Sequence, residues 1–125
     1  MKWQVIPVVA IVALVGCSKI HESRSFTLEP ADTNNIKVSA PIGEQKIKVT
    51  VTADNAVSVW VVLEKDVPSG KDEFDPELLG AALLASQKDA TETTLTATIP
   101  AKESYRIVVN RATKKATVSV KIDSQ

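Results

Sequence analysis

The sequence has few of the residues that catalytic and metal sites require. It contains one cysteine, Cys17, and one histidine, His21, among 125 residues. A single cysteine cannot form an internal disulfide, and zinc sites need several Cys or His ligands at set spacings. A Ser–His or Cys–His pair needs a base that is held in position, whereas His21 lies in a short polar stretch. We therefore predict no catalytic residues, no metal site and no cofactor.

Neither sign of charge is in excess. The chain has 15 Lys and Arg residues and 15 Asp and Glu residues. Nucleic-acid binding by counterion release needs a basic face, and a polybasic membrane segment needs a run of Lys or Arg. We therefore predict no nucleic-acid partner, and any membrane attachment has to come from another feature of the chain.

That feature lies at the N-terminus. Residues 5–15 form an uncharged apolar run of 11 residues after Lys2, which suits a signal peptide and is too short to span a bilayer as a helix. The run ends in Leu14-Val15-Gly16-Cys17, which resembles the bacterial lipobox. Small Gly16 lets a peptidase approach the bond, and the thiol of Cys17 accepts a diacylglycerol.

The lipobox resemblance implies a lipoprotein signal peptide over residues 1–16, lipidation of Cys17 and a membrane partner bound through that lipid. The alternative is an ordinary signal peptide in which Cys17 is incidental. Residue 18 is Ser rather than Asp, which by resemblance to Gram-negative sorting patterns favours the outer membrane if the host is Gram-negative. Residues 17–25 are polar and predict a tether, and residues 26–125 form the predicted domain.

The domain alternates apolar and polar residues with a period of two, which is typical of strands with one buried face. The inward rows are Ile47/Val49/Val51, Val57/Val59/Val61/Leu63, Leu95/Ala97/Ile99, Tyr105/Ile107/Val109 and Val118/Val120/Ile122. Turn residues separate the rows, and no regular helix alternates with them. The pattern predicts an all-β fold, a single antiparallel β-sandwich of about seven to eight strands.

Three segments between these rows carry specific predictions. Asp54-Asn55 predicts a tight hairpin between two strands. Asp75 followed by Pro76 is typical of a helix start and predicts a short helical insert near residues 72–79. Residues 82–88 allow two interpretations. Either the helix continues through them, or it ends at Gly80 and they form a strand that turns at residues 89–91. We favour the strand.

The second half of the chain resembles bacterial pre-peptidase C-terminal domains, which are small jelly-roll-like sandwiches of secreted proteins. The likeness rests on Val57–Leu63, on Leu83–Ser86 and on TLTATIPAKESYRIVV at residues 94–109. It implies the fold and an accessory or binding role, and the family shares no catalytic residues. The family usually has Gly where this chain has Ser104. Residues 65–79 replace a loop that binds calcium in some members, so we carry over no metal site.

Trp60 lies opposite its inward-facing neighbours and is the candidate ligand contact. It either stacks on a sugar or peptide from the outer face or is covered by the insert, which is the alternative we favour. The leading hypothesis is a lipid-anchored cell-envelope protein with a non-enzymatic structural or binding role, which presents a Thr/Lys-rich sheet face to an envelope protein or glycan. The alternative is a carbohydrate- or peptide-binding module that uses Trp60 and the 65–80 insert.

Overall fold

The computed structural model describes residues 20–68 and 74–125. The predicted signal peptide and the predicted lipid site Cys17 lie outside the described residues. Within those ranges, no helix combines the length and apolar composition that a membrane crossing requires. The elements are strands β1 (His21–Leu28), β2 (Thr33–Val38), β3 (Gln45–Leu63), β4 (Ala85–Ile99), β5 (Tyr105–Asn110) and β6 (Ala116–Ser124), and 3-10 helices at Glu64–Asp66 and Pro76–Ala82.

One long strand organises the antiparallel sheet. The first part of β3, residues 47–53, pairs with β6, and its last part, residues 58–63, pairs with β5. The other edge of β3 pairs with β4 along nearly its whole length, with register shifts between residues 52 and 59. Outside these pairs, β1 adds to β6 and β2 adds to β5. The sheet therefore has two parts that share β3 and β4.

These two parts form the layers of a sandwich. The first layer contains β1, β6, the start of β3 and the end of β4, and the second contains β2, β5, the end of β3 and the start of β4. The apolar rows of both layers belong to one buried cluster. All the residues that the alternation assigned to the inward rows are buried, which confirms their facing. Each fully buried Val, Leu or Ile contributes roughly 1.5–3 kcal/mol.

The hairpin predicted at Asp54-Asn55 is wrong, because β3 continues through these residues. The carboxylate Oδ1 of Asp54 accepts a hydrogen bond from the backbone N of Thr117 at 2.8 Å, and Nδ2 of Asn55 donates to the carbonyl of Lys115 at 2.9 Å. The two side chains bind the start of β6 at the point where β3 passes between layers. Turn-forming residues here mark a bend within a strand.

The strand predicted at residues 82–88 is correct from Ala85 onward, whereas the 3-10 helix continues past Gly80 to Ala82. The turn predicted at residues 89–91 is wrong. Strand β4 runs without interruption from Ala85 to Ile99. Asp89 takes a positive φ of 50° at a shift in the β3–β4 register, so the segment is a bulge. Because β3 and β4 each unite two of the predicted strands, the described residues form six strands rather than seven to eight.

Residues 21–25 of the predicted tether are part of a strand. Strand β1 begins at His21 and pairs with β6, and Ser124 donates its backbone N–H to the carbonyl of Ile20 at 3.0 Å. The edge of β6 supplies the backbone partners, so a polar sequence is sufficient for a strand here. Among the described residues, the sheet therefore begins five residues before the predicted domain start at Phe26.

The helical insert begins as predicted. Oδ1 of Asp75 accepts from the backbone N of Glu77 at 3.0 Å, and Pro76 occupies the first turn. The helix is a 3-10 helix with a kink at Gly80, where φ is +53°. Glycine accommodates this left-handed conformation without a steric penalty. The segment between β3 and β4 is longer than the predicted 65–80 insert. From here on, "the insert" means residues 64–84, of which 69–73 lie outside the described ranges.

Candidate binding surfaces

Trp60 lies on the outer face of the second layer, beneath the insert. Its side chain is only 1% exposed, and its Nε1 donates to Oδ1 of Asn110 at 2.8 Å. The side chains that form a second apolar cluster with Trp60 are Val62, Val67 and Val108, with Phe74, Leu79 and Leu83 packed against them. The insert thus closes a small core of its own over this outer face.

Burial argues against Trp60 as a surface ligand contact. Val62 and Val108, its outward-facing neighbours, are also fully buried, so covering this face removes a contiguous apolar patch from water. The guanidinium of Arg111 lies 5.1 Å from the ring centroid and Nζ of Lys88 lies 6.0 Å from it. These contacts leave no open ring face for a sugar or peptide in this structure.

The two cations beside Trp60 are paired with acidic residues of the insert. Arg111 binds Asp75 at 2.9 Å and Glu77 at 3.1 Å, and Lys88 binds the other oxygen of Glu77. Hydrogen bonds from Lys88 and Arg111 lower the pKa of Glu77. We call these four residues the clasp. Because its side chains are 39–49% exposed, each ion pair contributes little stability.

A second polar contact fixes the start of the insert. Arg106 is 1% exposed and donates to both carboxylate oxygens of Glu64, at 2.7 Å from Nε and 2.6 Å from Nη2. It also donates to Oδ1 of Asn35 at 3.1 Å. This pair was not predicted from the sequence. The available signal was that Arg106, a charged residue, shares the outward positions of its strand with apolar Val108 and is opposite apolar Val62.

The outer face of the first layer is open and polar. Four strands, in the order β1, β6, β3 and β4, each place four side chains on it in register. We call it the hydroxyl face, and its 16 residues are His21, Ser23, Ser25, Thr27, Lys46, Lys48, Thr50, Thr52, Glu92, Thr94, Thr96, Thr98, Thr117, Ser119, Lys121 and Asp123. Seven threonines and three serines dominate it, and none of the 16 is aliphatic or aromatic.

Neighbouring strands interact across this face. The hydroxyls of Ser25 and Ser119 lie 3.2 Å apart, and Nδ1 of His21 lies 2.9 Å from Oδ1 of Asp123. The hydrogen bond with His21 lowers the pKa of Asp123, and Lys121 and Lys48 add smaller electrostatic contributions. The predicted Thr/Lys-rich sheet face is therefore present, and the histidine expected in the tether belongs to it.

A shallow cleft lies at one corner of the hydroxyl face. Its volume is about 380 Å³, and it is lined by Lys46, Leu84, Thr96, Ala97, Thr98 and Gln125. Lys46 and Thr98 are opposite each other in the β3–β4 register. A lysine beside two threonines offers hydrogen-bond donors and acceptors.

The described residues offer few groups inside the sandwich that could bind a metal ion or act as a base. Among residues 20–68 and 74–125, no three His, Cys, Asp or Glu side chains come together in a group that would hold a metal ion. The hydroxyl of Tyr105 is buried and has no hydrogen-bond partner in the described part of the chain. Burial, with a smaller contribution from Glu22, raises the pKa of Tyr105 to about 12. A neutral phenol is not a base at ordinary pH.

No protein-family model matches the chain, and no curated protein sequence matches it. Solved structures do share its fold. The pre-peptidase C-terminal domain of a collagenase from Bacillus anthracis superimposes with a TM-score of 0.60 at 11% sequence identity, covering 82% of this chain and 89% of that domain. The Yersinia pseudotuberculosis-derived mitogen gives a TM-score of 0.56 at 6% identity, covering 85% and 86%. These similarities support the β-sandwich that the sequence resemblance implied.

Proposed function

We propose that this protein is a lipid-anchored component of the bacterial cell envelope with a non-enzymatic binding role. The lipobox-like Leu14-Val15-Gly16-Cys17 supports export and lipidation at Cys17. The similarity to an accessory domain of a collagenase supports a binding role rather than a catalytic one. The observation that carries the binding role is the hydroxyl face, an exposed array of 16 polar side chains on four paired strands.

The chemistry of this face favours a glycan over a protein partner. Protein interfaces depend on buried aromatic and apolar residues that supply most of the binding energy, and the hydroxyl face has none. Threonine and serine hydroxyls both donate and accept hydrogen bonds, as sugar hydroxyls do. Lys48 and Lys121 add positive charge near the centre of the array. A long, hydrated envelope glycan could form many individually weak hydrogen bonds with these hydroxyls at the same time.

Lipidation is tested by mass spectrometry of the protein purified from membranes. The expected mature chain begins at Cys17 and carries acyl groups, and Cys17→Ala is expected to leave an unprocessed or soluble form. An unmodified thiol on Cys17 in the membrane fraction would contradict the anchor.

The glycan-binding role is tested by co-sedimentation with purified peptidoglycan. Thr50→Val with Thr94→Val removes two hydroxyls that are opposite each other on the face, and we expect this pair to weaken binding several-fold. The matched control is Thr91→Val with Thr113→Val, which removes two exposed hydroxyls from other surfaces. Equal binding by both double variants would reject the hydroxyl face, and capture of an envelope protein by the face would replace the glycan.

A further inference from the structure

The first layer has a defined end from which the chain leaves toward the predicted lipid. One row of paired residues crosses this layer, and its members are His21, Asp123, Lys48 and Thr96. Strand β1 begins at this row, and Cys17 precedes His21 by four residues in the sequence. Because the strands are antiparallel, β3 extends past the row to Gln45 and β4 extends past it to Ile99, both at the end where β1 begins.

The distances along the chain limit how far this end can stand from a membrane. Four residue steps separate Cys17 from His21, and they span at most about 14 Å when fully extended. Three residue steps separate Lys48 from Gln45, and at strand geometry they advance about 10 Å past the His21 row. The loop that precedes Gln45 therefore reaches almost as far as the lipidated residue can.

Two loops form this end of the sandwich, residues 39–44 and residues 100–104, and we call them the proximal loops. The backbone N of Lys102 donates to the carbonyl of Pro41 at 2.8 Å, which ties the loops together. Ile42 projects from the first loop with 67% of its surface exposed, although it is a large apolar residue. Glu103 is paired with Lys65 at 3.7 Å.

We propose that the proximal loops dock on the bilayer that holds the lipid, with Ile42 inserted among the headgroups and Lys46 and Lys102 directed toward lipid phosphates. This inference rests on the proposed lipid at Cys17. The lipid alone fixes one point, whereas the loop contact fixes which end of the domain faces the membrane. The hydroxyl face then stands beside the membrane, open to the envelope.

The single cysteine of the chain makes the test specific. Acylation occupies Cys17, so Ile42→Cys introduces one thiol that accepts an environment-sensitive fluorophore. The labelled lipidated protein is reconstituted into vesicles of phosphatidylethanolamine and phosphatidylglycerol. The control is Ala31→Cys, an exposed small apolar residue in the turn at the opposite end of the sandwich. We expect a blue-shifted emission and protection from an aqueous quencher at position 42 only.

The outcomes separate the docking from the anchor. Acylated protein with equally quenched probes at positions 42 and 31 would overturn the docking and leave the lipid anchor intact. Protein without acyl groups on Cys17, measured by mass spectrometry of the same sample, would overturn the anchor and the docking that rests on it. As a second check, a fluorophore on Lys102→Cys should be protected from the quencher in the lipidated protein, and adding Ile42→Asp should remove that protection.

Discussion

The two outer faces of the sandwich come from the same alternation of residues along the strands, but one is exposed to water and the other is buried. On the first layer the outward positions carry hydroxyls and lysines, and the face stays in water. On the second layer they carry Trp60, Val62 and Val108, and the insert covers them. An alternating strand specifies only that its two faces differ. Whether the outer face is solvated or covered depends on what the outward residues are and on whether the chain supplies a covering segment.

The largest expected effect comes from replacing one residue on each face and comparing the free energies of unfolding. We expect Trp60→Ala to lower the free energy of unfolding by about 3–5 kcal/mol, because it leaves a cavity beneath the insert. Thr96→Ala, at an exposed position of the hydroxyl face, should change it by less than about 0.5 kcal/mol. Urea unfolding followed by circular dichroism measures both. Similar losses for the two variants would mean that the outer faces are energetically equivalent.

A second test concerns the charges on the two faces. Glu64→Ala leaves the buried guanidinium of Arg106 without its carboxylate, and we expect a loss of about 1–3 kcal/mol because a buried donor loses its acceptor. Adding Arg106→Met removes the buried charge, so the double variant should recover much of that loss. Lys48→Ala on the hydroxyl face should cost almost nothing. A double variant less stable than Glu64→Ala alone would contradict the burial of Arg106.

The smallest expected effect comes from weakening the clasp that holds the insert, by protonating Glu77. The folded pKa of Glu77 is lowered, so its stabilising contribution is present above its ordinary pKa of 4.5 and is lost as the pH falls through the lower folded value. We expect Trp60, the only tryptophan after Cys17, to become more accessible to acrylamide in that acidic range.

Two variants sharpen the interpretation of that pH response. Glu77→Gln should raise the accessibility of Trp60 at neutral pH, whereas Glu92→Gln on the hydroxyl face should leave it unchanged. Circular dichroism of the strands should stay constant throughout. Quenching that is independent of both pH and Glu77 would show that the clasp does not hold the insert closed.

The sequence was sufficient for the fold class and for the facing of the strands, because alternation depends on residues within each strand. Val59 and Ile107 face inward whatever their partners are. The strand ends were less predictable. Asp54, Asn55 and Asp89 have turn chemistry, and only the pairing of β3 with three other strands reveals that they bend and bulge within continuous strands.

The polar contacts were harder to predict, because they join residues distant in sequence. Glu64 and Arg106 are 42 residues apart, and His21 and Asp123 are 102 apart. The alternation did indicate a Thr/Lys-rich face, since its members are local. It did not indicate that β1 would add His21 and its serines to that face. A polar segment by itself predicts a tether, and β1 is a strand because its backbone pairs with the edge of β6.

The continuity of β3 and β4 through both layers has a consequence for motion. Along their side of the sandwich, separating the layers would require bending two strands against their own hydrogen bonds. The opposite side is bounded by β1 and β2, which are each paired on one edge within the described residues. Fluctuations that admit water should therefore begin between β1 and β2, where Glu22 and Arg24 form an ion pair at 2.9 Å. Backbone amides of these two strands should exchange with deuterium well before those of β3.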